Sequence, residues 1–543
     1  MNLRLNIWIG LISMLAWVAF FRPTLIELAL GFAFLLLVPL TLSLVKGTEE
    51  ENLLHSFLSR FSFLFAWAGT AALSLPLNAW SILFASVWAI FTVGVALAGL
   101  TRLLRRGWSP IEETAIDVGF IYLIVGGGWF MLSTLGGEAF LPYSEAIVDL
   151  TAVHFHYAAF ILPVLTGMLG RWLYAKISHV SKAYTLLAWG ILAGPLLVAI
   201  GIDAGPPVEA VLVSIYVGFV CWFCLWNLSI IRWVASLAKL GLVASSGILL
   251  LTMALSFLYS FGLAMNAPFL TIAEMVRWHG VFNAFGFALV AVITWVYLAP
   301  SPRATFGVFP ISPLRGRQHI DCRLLKKYPN LGKEEALIES WETFRRAAFQ
   351  PDQLNPLVSS FHEQTIGYTM KAKVRWAFWL PSKLSSSVTR KMGQLNLPAS
   401  GYIGMNGAIY TVDDATKGRP ASRVWIRQNA TTNEPIFTAA YSHHQKMNTT
   451  YMNIALPLPG GVMTGVLRPD HGEAGSLILT SRKEKDEQGD EGIYVTFGRI
   501  TVNTPLAESF LLRQIGRNQL EAYHQLSCFG VTFVRLRYEL ICI

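Results

Sequence analysis

The sequence predicts an α-helical bundle of about ten membrane spans, followed by a C-terminal domain of mainly antiparallel β-strands with a barrel-like or sandwich-like architecture. Three observations predict this fold class. The chain of 543 residues is 54% apolar and only 14% charged, and its mean hydropathy of +0.49 lies far outside the soluble globular range. Apolar runs of about 20 residues, the length that crosses a bilayer, fill the chain up to Pro300. Beyond Pro300 the sequence is polar, and short alternating segments predominate.

Ten apolar runs define the predicted spans. They cover residues 5–21, 25–45, 57–75, 78–100, 114–135, 150–170, 184–202, 208–231, 241–263 and 275–298. The first run follows Arg4 but has no small-residue cleavage site behind it, so it is predicted to stay as an anchor. The transmembrane domain is therefore predicted to cover residues 1–300.

Charges on the short loops predict the direction of these spans. If the N-terminus is cytoplasmic, eleven of the thirteen Lys and Arg residues up to Pro300 fall on the cytoplasmic side, and only Arg22 and Arg277 fall outside. An asymmetry of this kind sets the orientation of membrane proteins. The five scattered cysteines form no disulfide framework, which fits a reduced cytosolic tail. The sequence thus predicts a multi-pass protein of the cell membrane with both termini in the cytoplasm.

This orientation predicts the outcome of cysteine labelling. A single cysteine at residue 140, between the fifth and sixth spans, is expected to react with an impermeant reagent in intact cells because that loop lies outside. A label that requires permeabilised membranes would reverse the orientation.

Polar side chains lie in the outer halves of the sixth and tenth predicted spans. The stretch AVHFHYAAF brings two histidines into the sixth span, and RWHGVFNAFGF brings further polar groups into the tenth. Both spans enter from the outside, so the histidines of the sixth span lie roughly 6–9 Å deep at 1.5 Å per residue. Ionisable groups are costly at such depths and usually face the bundle interior or a wet cavity. These groups predict a ligand or proton site made of His154, His156, Arg277, His279, Asn283, Asp149 and Glu274.

Three uses of this layer are open: a structural role, a proton or solute site, and a metal or haem site. Residues two apart in an α-helix point about 200° away from each other, so His154 and His156 cannot both ligate one ion, although one of them could do so with His279. In the structural alternative, His156 and Tyr157 bond to neighbouring helices or to lipid headgroups. The residues therefore assign neither a metal nor a cofactor.

Other residues in the predicted spans carry weaker signals. Glu112 and Glu113 open the fifth span, where acids favour the helix N-terminus, and they are interpreted as capping groups; the deeper Asp117 keeps a functional hypothesis. Glycines 126–128 permit either close helix packing or a local break beside a substrate. Arg277 is expected to pair with an acid, since an unpaired guanidinium at that depth costs several kcal/mol. The acids within reach are Glu274, Asp149 and Asp203.

The polar part that follows Pro300 divides into a linker and a β-rich domain. Residues 301–332 are predicted to be a basic, Pro-rich linker beside the anionic inner leaflet. Residues 333–543 are predicted to form a cytoplasmic domain that begins with an amphipathic helix in KEEALIESWETFRRAAF and continues from about residue 368 as alternating strands. The regular spacing of these strands is typical of antiparallel sandwiches and barrels. The apolar inner face could hold a lipid-like ligand or be filled by its own side chains.

The sequence motifs exclude some classes of function but identify none. The sequence contains no P-loop, no H-E-x-x-H and no nucleophile elbow, and the modest basic excess of the tail fits the inner leaflet rather than nucleic acid. The predicted partners are the lipid bilayer and a small solute or lipid ligand. The favoured function is a transporter or permease for a small solute. The alternatives are a membrane-bound metal or haem redox protein that uses the same histidines, and a tethered lipid-binding module.

The chain resembles the YndJ-like family of bacterial integral membrane proteins over nearly its whole length. The resemblance is carried by VHFHYAAF, RWHGVFNAFGF, YMNIALPLPGGVMTGVLR, GIYVTFG with TPLAESFLL, and LEAYHQLSCFGVTFVRLRYEL. Departures occur at Ala159, where the family favours glycine, and at Ser527 and Cys528, where it favours a larger apolar pair. The resemblance implies a multi-pass membrane protein and brings no catalytic residues with it.

Overall fold

The computed structural model describes residues 3–45, 53–139, 141–178, 180–302, 307–316, 332–377, 401–412, 418–483, 489–498 and 500–543. Residue 140, proposed above for labelling, and most of the predicted linker (303–306 and 317–331) lie outside these ranges. The chain divides into a helical unit, Met1–Leu103 with Trp108–Ala304, and a β-rich unit, Leu104–Gly107 with Thr305–Ile543.

Helices occur at all ten predicted positions. They are α1 Leu3–Phe21, α2 Leu25–Leu44, α3 Leu53–Ser74, α4 Ala79–Arg106, α5 Ile111–Thr134, α6 Glu145–Ile177, α7 Lys182–Ala204, α8 Pro206–Ser229, α9 Ser236–Ala264 and α10 Ile272–Leu298. In the described residues, eight of them are long and apolar enough to cross a membrane. The other two are α1, whose described apolar part is only Ile7–Phe21, and α3, which carries His55, Arg60 and several serines.

Helices α2 and α6 lie at the centre of the helical unit. About four fifths of the most apolar window of each is buried (78%), against 28% for α8 and α9. Large side chains from several helices fill the space around them, and Phe34, Trp88, Phe160 and Trp295 are fully buried. Because lipid is as apolar as these side chains, close packing rather than water exclusion holds such helices together. The histidines of α6 therefore belong to a central helix.

Three helices contain π-helical segments, in which the backbone hydrogen bond skips one more residue than in an α-helix. The segments are Ala33–Leu37 in α2, Tyr157–Ile161 in α6, and Met275–Gly280 and Phe282–Ala288 in α10. The α6 segment starts directly after His156, and those of α10 contain its polar residues. Such segments re-aim side chains and are frequent at functional sites.

The β-rich unit is a closed antiparallel barrel. Its strands are β1 Lys333–Glu334, β2 Tyr368–Trp376, β3 Gly401–Thr411, β4 Arg423–Asn429, β5 Pro435–Lys446, β6 Thr449–Leu458, β7 Gly461–His471, β8 Leu477–Thr480, β9 Gly492–Phe497, β10 Ile500–Asn503, β11 Leu506–Gly516, β12 Gln519–Cys528 and β13 Val531–Cys542. Strands β2 to β8 follow one another around the wall, β8 pairs with β11, and β13 closes onto β2. The hairpin β9–β10 extends the sheet from β7, and β1 pairs with β3. The predicted fold class is confirmed, and the architecture is a barrel.

The predicted helix in KEEALIESWETFRRAAF is wrong. This segment contains β1, a single 3₁₀ turn at Trp341–Phe344 and an isolated bridge between Arg346 and Phe349. Its large apolar residues join the apolar cluster of the barrel interior, with Trp341 and Phe344 each only 1% exposed. Their burial outweighs the local helical spacing, because propensity is a weak determinant against tertiary packing. The helix of this region comes later, at Pro356–Glu363 (α11), with Asn355 as its N-cap.

The outer face of part of the barrel wall is also buried. Leu314, from the segment that precedes the barrel, packs in an apolar cluster with Val424, Ile426, Ala440 and Ala455. The Gly316 backbone N–H donates to the carbonyl of Leu458 over 3.2 Å. Strands β4 to β6 are therefore apolar on both faces, as buried strands usually are.

Candidate functional site

His156 is a fully buried structural residue of α6. Its Nδ1 donates to the carbonyl of Ala152 at 2.8 Å, and its Nε2 accepts a hydrogen bond from the indole of Trp88 at 3.2 Å. Both ring nitrogens are therefore used by neighbouring groups. The structure does not place His156 in the predicted polar layer, which agrees with the opposite directions expected for residues two apart.

His154 and His279 do meet, so α6 and α10 are neighbours at this level. Their rings are stacked with centroids 6.4 Å apart. His279 donates from Nδ1 to the carbonyl of Thr252 on α9 at 3.0 Å and lies 3.2 Å from the amide of Asn283. Asn283 Oδ1 in turn accepts from the Thr252 hydroxyl at 2.7 Å. Three of the predicted residues thus form one cluster with Thr252, and a ligand at this cluster stays a prediction.

The acidic residues do not join this cluster as predicted. Glu274 caps the start of α10, where its carboxylate accepts from the backbone and hydroxyl of Thr271 at 2.8 Å each. Asp203 accepts from the hydroxyl of Tyr143 at 3.2 Å, and Asp149 lies partly buried near the start of α6. Arg277 is exposed and forms no ion pair in the described part of the chain. The predicted pairing of Arg277 with an acid is wrong: its side chain lies on the surface of α10 near the helix start, where a long basic side chain can extend to the lipid headgroups instead.

Most ring nitrogens of the three histidines already form hydrogen bonds, so few of them are available to bind a metal. His156 and His279 engage both of their nitrogens, and His154 donates from Nδ1 to the carbonyl of Leu150 at 2.7 Å. Over the described ranges, no group of three or more His, Cys, Asp or Glu side chains is placed to hold a metal ion. A metal at this layer would have to displace existing hydrogen bonds.

A buried ion cluster joins α4, α5 and α6 and was not predicted as a site. Glu113 accepts two hydrogen bonds from Arg171, at 2.6 and 2.7 Å, and one from Arg102 at 2.9 Å. Asp117 accepts from Arg102 at 2.6 Å, and none of the four side chains is more than 10% exposed. The interpretation of Glu113 as a simple capping group is wrong. These buried pairs tie α4, α5 and α6 together, and removing one partner of such a pair leaves a buried charge uncompensated.

The barrel encloses a cavity of about 310 Å³. Its wall is largely aliphatic and aromatic and includes Met452, Ile454, Leu479, Leu512 and Leu536. Ligand cavities in proteins are of this kind: concave, mostly apolar and with a small number of polar groups. The sequence left two alternatives for the inner face of the barrel: space for a ligand, or an interior filled by its own side chains. The cavity fits the first alternative better.

A few polar side chains reach this apolar wall. They are His362, Trp376, Arg427, Tyr441, Glu508, His524 and Tyr538. The carboxylate of Glu508 lies 3.2 Å from Nε2 of His524. The guanidinium of Arg427 lies over the rings of Trp425 and Phe437, 4.4 and 4.1 Å from their centroids.

Burial keeps several of these polar groups neutral. It lowers the pKa of His362 to about 3 and raises the pKa of Tyr441 to about 12, against the opposing effect of the positive Arg427. It raises the pKa of Tyr538 for the same reason. At neutral pH the tyrosines are therefore hydroxyl donors and His362 is an uncharged imidazole.

Sequence reasoning missed the polar cavity residues. In RVWIRQN, Val424 and Ile426 alternate with Trp425 and Arg427, so both strand faces look apolar and the inner one cannot be identified. The available signal was a charge on a strand that is otherwise apolar on both faces. For the ion cluster, the signal was the presence of both basic and acidic residues at adjoining helix ends.

The chain is similar to known proteins over most of its length. A family model described as YndJ-like protein matches residues 28–287. The protein named "Uncharacterized membrane protein YndJ" from Bacillus subtilis (strain 168) is 36% identical over 465 residues, which is 84% of this chain and 83% of that protein. This overlap is longer than the helical unit, so it includes part of the β-rich unit. No solved structure matches the chain.

Proposed function

We propose a function on one premise: the chain belongs to the YndJ-like family of membrane proteins. It is a multi-pass membrane protein whose C-terminal barrel binds a small, largely apolar, lipid-like ligand. The single observation that carries this proposal is the apolar cavity of about 310 Å³ inside the barrel. In the proposed arrangement both termini are cytoplasmic, as the loop charges favour, so the ligand reaches the barrel from the cytoplasm or the inner leaflet.

The construction of the barrel supports this proposal. A closed sheet has no free edge, so its interior is reached only through the barrel ends. Small barrels either fill their interior or hold one small ligand, and a volume of about 310 Å³ lies at the lower end of the range for ligand pockets. The few polar side chains on the otherwise apolar wall can orient a bound ligand.

Leu512→Trp is expected to block ligand binding by filling the cavity. Leu512 is buried and lines the cavity, whereas its neighbour Leu511 on β11 points to the other face. The full-length protein in phosphatidylcholine nanodiscs is titrated with the fluorescent apolar probe N-phenylnaphthylamine. We expect the saturable part of the signal to weaken at least about tenfold in Leu512→Trp, since the indole occupies the space of the ligand.

Leu511→Trp is the matched control, with the same added side chain on the same strand. It is expected to bind the probe like the unmodified protein, and the thermal unfolding of both variants reports whether the barrel is intact. Absence of saturable binding in the unmodified protein, or equal binding by a folded Leu512→Trp variant, contradicts the proposal.

A second candidate is a transporter for a small solute that uses the layer shared by α6 and α10. The stacked pair of His154 and His279 and the hydrogen bonds of Asn283 favour it, because polar groups in such positions often line solute or proton paths. The competing redox function uses the same histidines. A visible absorption spectrum and a metal analysis of the purified protein separate the transporter from the redox protein. Stoichiometric haem or transition metal would contradict the transporter hypothesis.

A further inference from the structure

The polar groups of the barrel cavity are unequally satisfied. Glu508 has a partner in His524, and Gly465 leaves room for its carboxylate, since a Cβ at this position would lie 2.2 Å from Oε1 of Glu508. Arg427, in contrast, forms no ion pair within the described ranges. Its guanidinium contacts two aromatic rings, and its Nη1 lies 3.8 Å from the sulfur of Met370.

Several buried nitrogens around the cavity also lack partners. In the described part of the protein, four lining nitrogens are buried without a hydrogen bond: Nδ1 of His362, Nε1 of Trp376, Nε of Arg427 and Nδ1 of His524. His362 is only 7% exposed as a residue, so bulk water does not serve it. Buried polar groups nearly always have a partner, and each unsatisfied one calls for water or a ligand. The nitrogens of Trp376 and Arg427 can only donate, so the partner missing from these two groups is an acceptor.

We infer that the ligand of this cavity carries a carboxylate that binds Arg427, with a single hydrocarbon chain lying along the apolar wall. This inference rests on the proposed function and specifies the ligand class as a medium-chain fatty acid or a similar monocarboxylate. A guanidinium presents parallel N–H donors in a fixed fork that matches a carboxylate. The aromatic rings that flank Arg427 hold its fork in place without neutralising its charge.

The position of Arg427 suits an amphipathic acid better than a neutral lipid. A partly buried cation without an anion is unfavourable, and a carboxylate ligand would remove that cost, whereas an ester or alcohol would not. Tyr441 and Tyr538 lie within the electrostatic reach of both Arg427 and Glu508. Because His524 already pairs with the Glu508 carboxylate, the neutral tyrosine hydroxyls can donate to the ligand headgroup. The protein is therefore expected to bind a charged acid more tightly than an uncharged ester with the same hydrocarbon chain.

The test compares dansyl-labelled undecanoate with its methyl ester on the full-length protein in phosphatidylcholine nanodiscs. The Leu512→Trp protein in identical nanodiscs gives the baseline for partition into lipid. The unmodified protein is expected to bind the acid at least about tenfold more tightly than the ester, the difference that one charge-assisted hydrogen-bonded pair supplies. Arg427→Leu is expected to abolish this preference, because the acid then loses its charged partner.

Two further variants make the result specific to Arg427. Arg427→Lys keeps the charge but loses the fork, so part of the preference is expected to remain. Arg375→Leu removes an exposed arginine from the outer face of β2 and is expected to bind like the unmodified protein. Equal affinity for acid and ester in the unmodified protein overturns the carboxylate inference and leaves the proposed function standing. Failure of both probes to bind it overturns the proposed function.

Discussion

Glu113→Ala is expected to destabilise the helical unit by about 3–5 kcal/mol, the loss typical of a buried ion pair broken on one side. Glu113 holds Arg171 through two hydrogen bonds and shares Arg102 with Asp117. The side chain of Arg171 is fully buried, so the variant leaves a guanidinium with no anion in a medium of low dielectric constant. The measurement is SDS-induced unfolding of the full-length protein in mild detergent, followed by helical circular dichroism.

The matched control removes an exposed ion pair from the same chain. Glu342 contacts Arg345 at 2.7 Å, with side-chain exposures of 57% and 37%, and Glu342→Ala is expected to cause no measurable change because water screens such pairs. Glu113→Gln preserves shape but not charge and is expected to lose most of the stability lost in Glu113→Ala. A loss of less than about 1 kcal/mol in both Glu113 variants, the range of exposed pairs, would show that the cluster is not a clamp.

Gly127→Leu is expected to destabilise the helical unit by about 3 kcal/mol, at the upper end of the range for overpacking. A Cβ at Gly127 would lie only 2.1 Å from Oγ1 of Thr92, which is itself fully buried on α4 and donates to the carbonyl of Ala89. The larger side chain must therefore push α4 and α5 apart. The same SDS titration measures this loss.

The next glycine provides a control one residue away. A Cβ at Gly128 meets no atom within 4 Å, so Gly128→Leu is expected to change stability by no more than about 1 kcal/mol, in the direction of greater helix propensity. Equal losses for the two variants would contradict the packing role of Gly127. Since α5 runs without a break from Ile111 to Thr134, packing explains this triple glycine better than the local helix break that the sequence also permitted.

Local patterns predicted the helices and most strands because these depend on neighbouring residues. An apolar run of about 20 residues forms a helix in a membrane whatever its partners are, since every backbone polar group must be satisfied within the segment. Alternation from Tyr368 onwards similarly predicted antiparallel strands. The same reasoning failed for Trp341 and Phe344, whose spacing fits a helix but whose rings are buried in the barrel core.

The candidate sites show the same division between local and long-range information. The sequence identified His154, His279 and Asn283 by depth and spacing, and the structure brings them together. It could not show that His156 faces Trp88 or that Arg277 is exposed, because these depend on which helices are neighbours. It also gave no indication that Arg427 would remain without an anion inside the barrel.

The sequence by itself determined the positions of the ten apolar helices, the antiparallel strands that follow residue 368, the division into an apolar and a polar part, and the polar character of α6 and α10. These follow from composition and periodicity, which act over a few residues. Only the tertiary structure decided that Glu113 binds Arg171, that β13 closes onto β2, and that the closed wall leaves a cavity beside Arg427. Such pairings join residues far apart in the chain, and their energies depend on distance and burial. A single sequence specifies neither distance nor burial until the chain has folded.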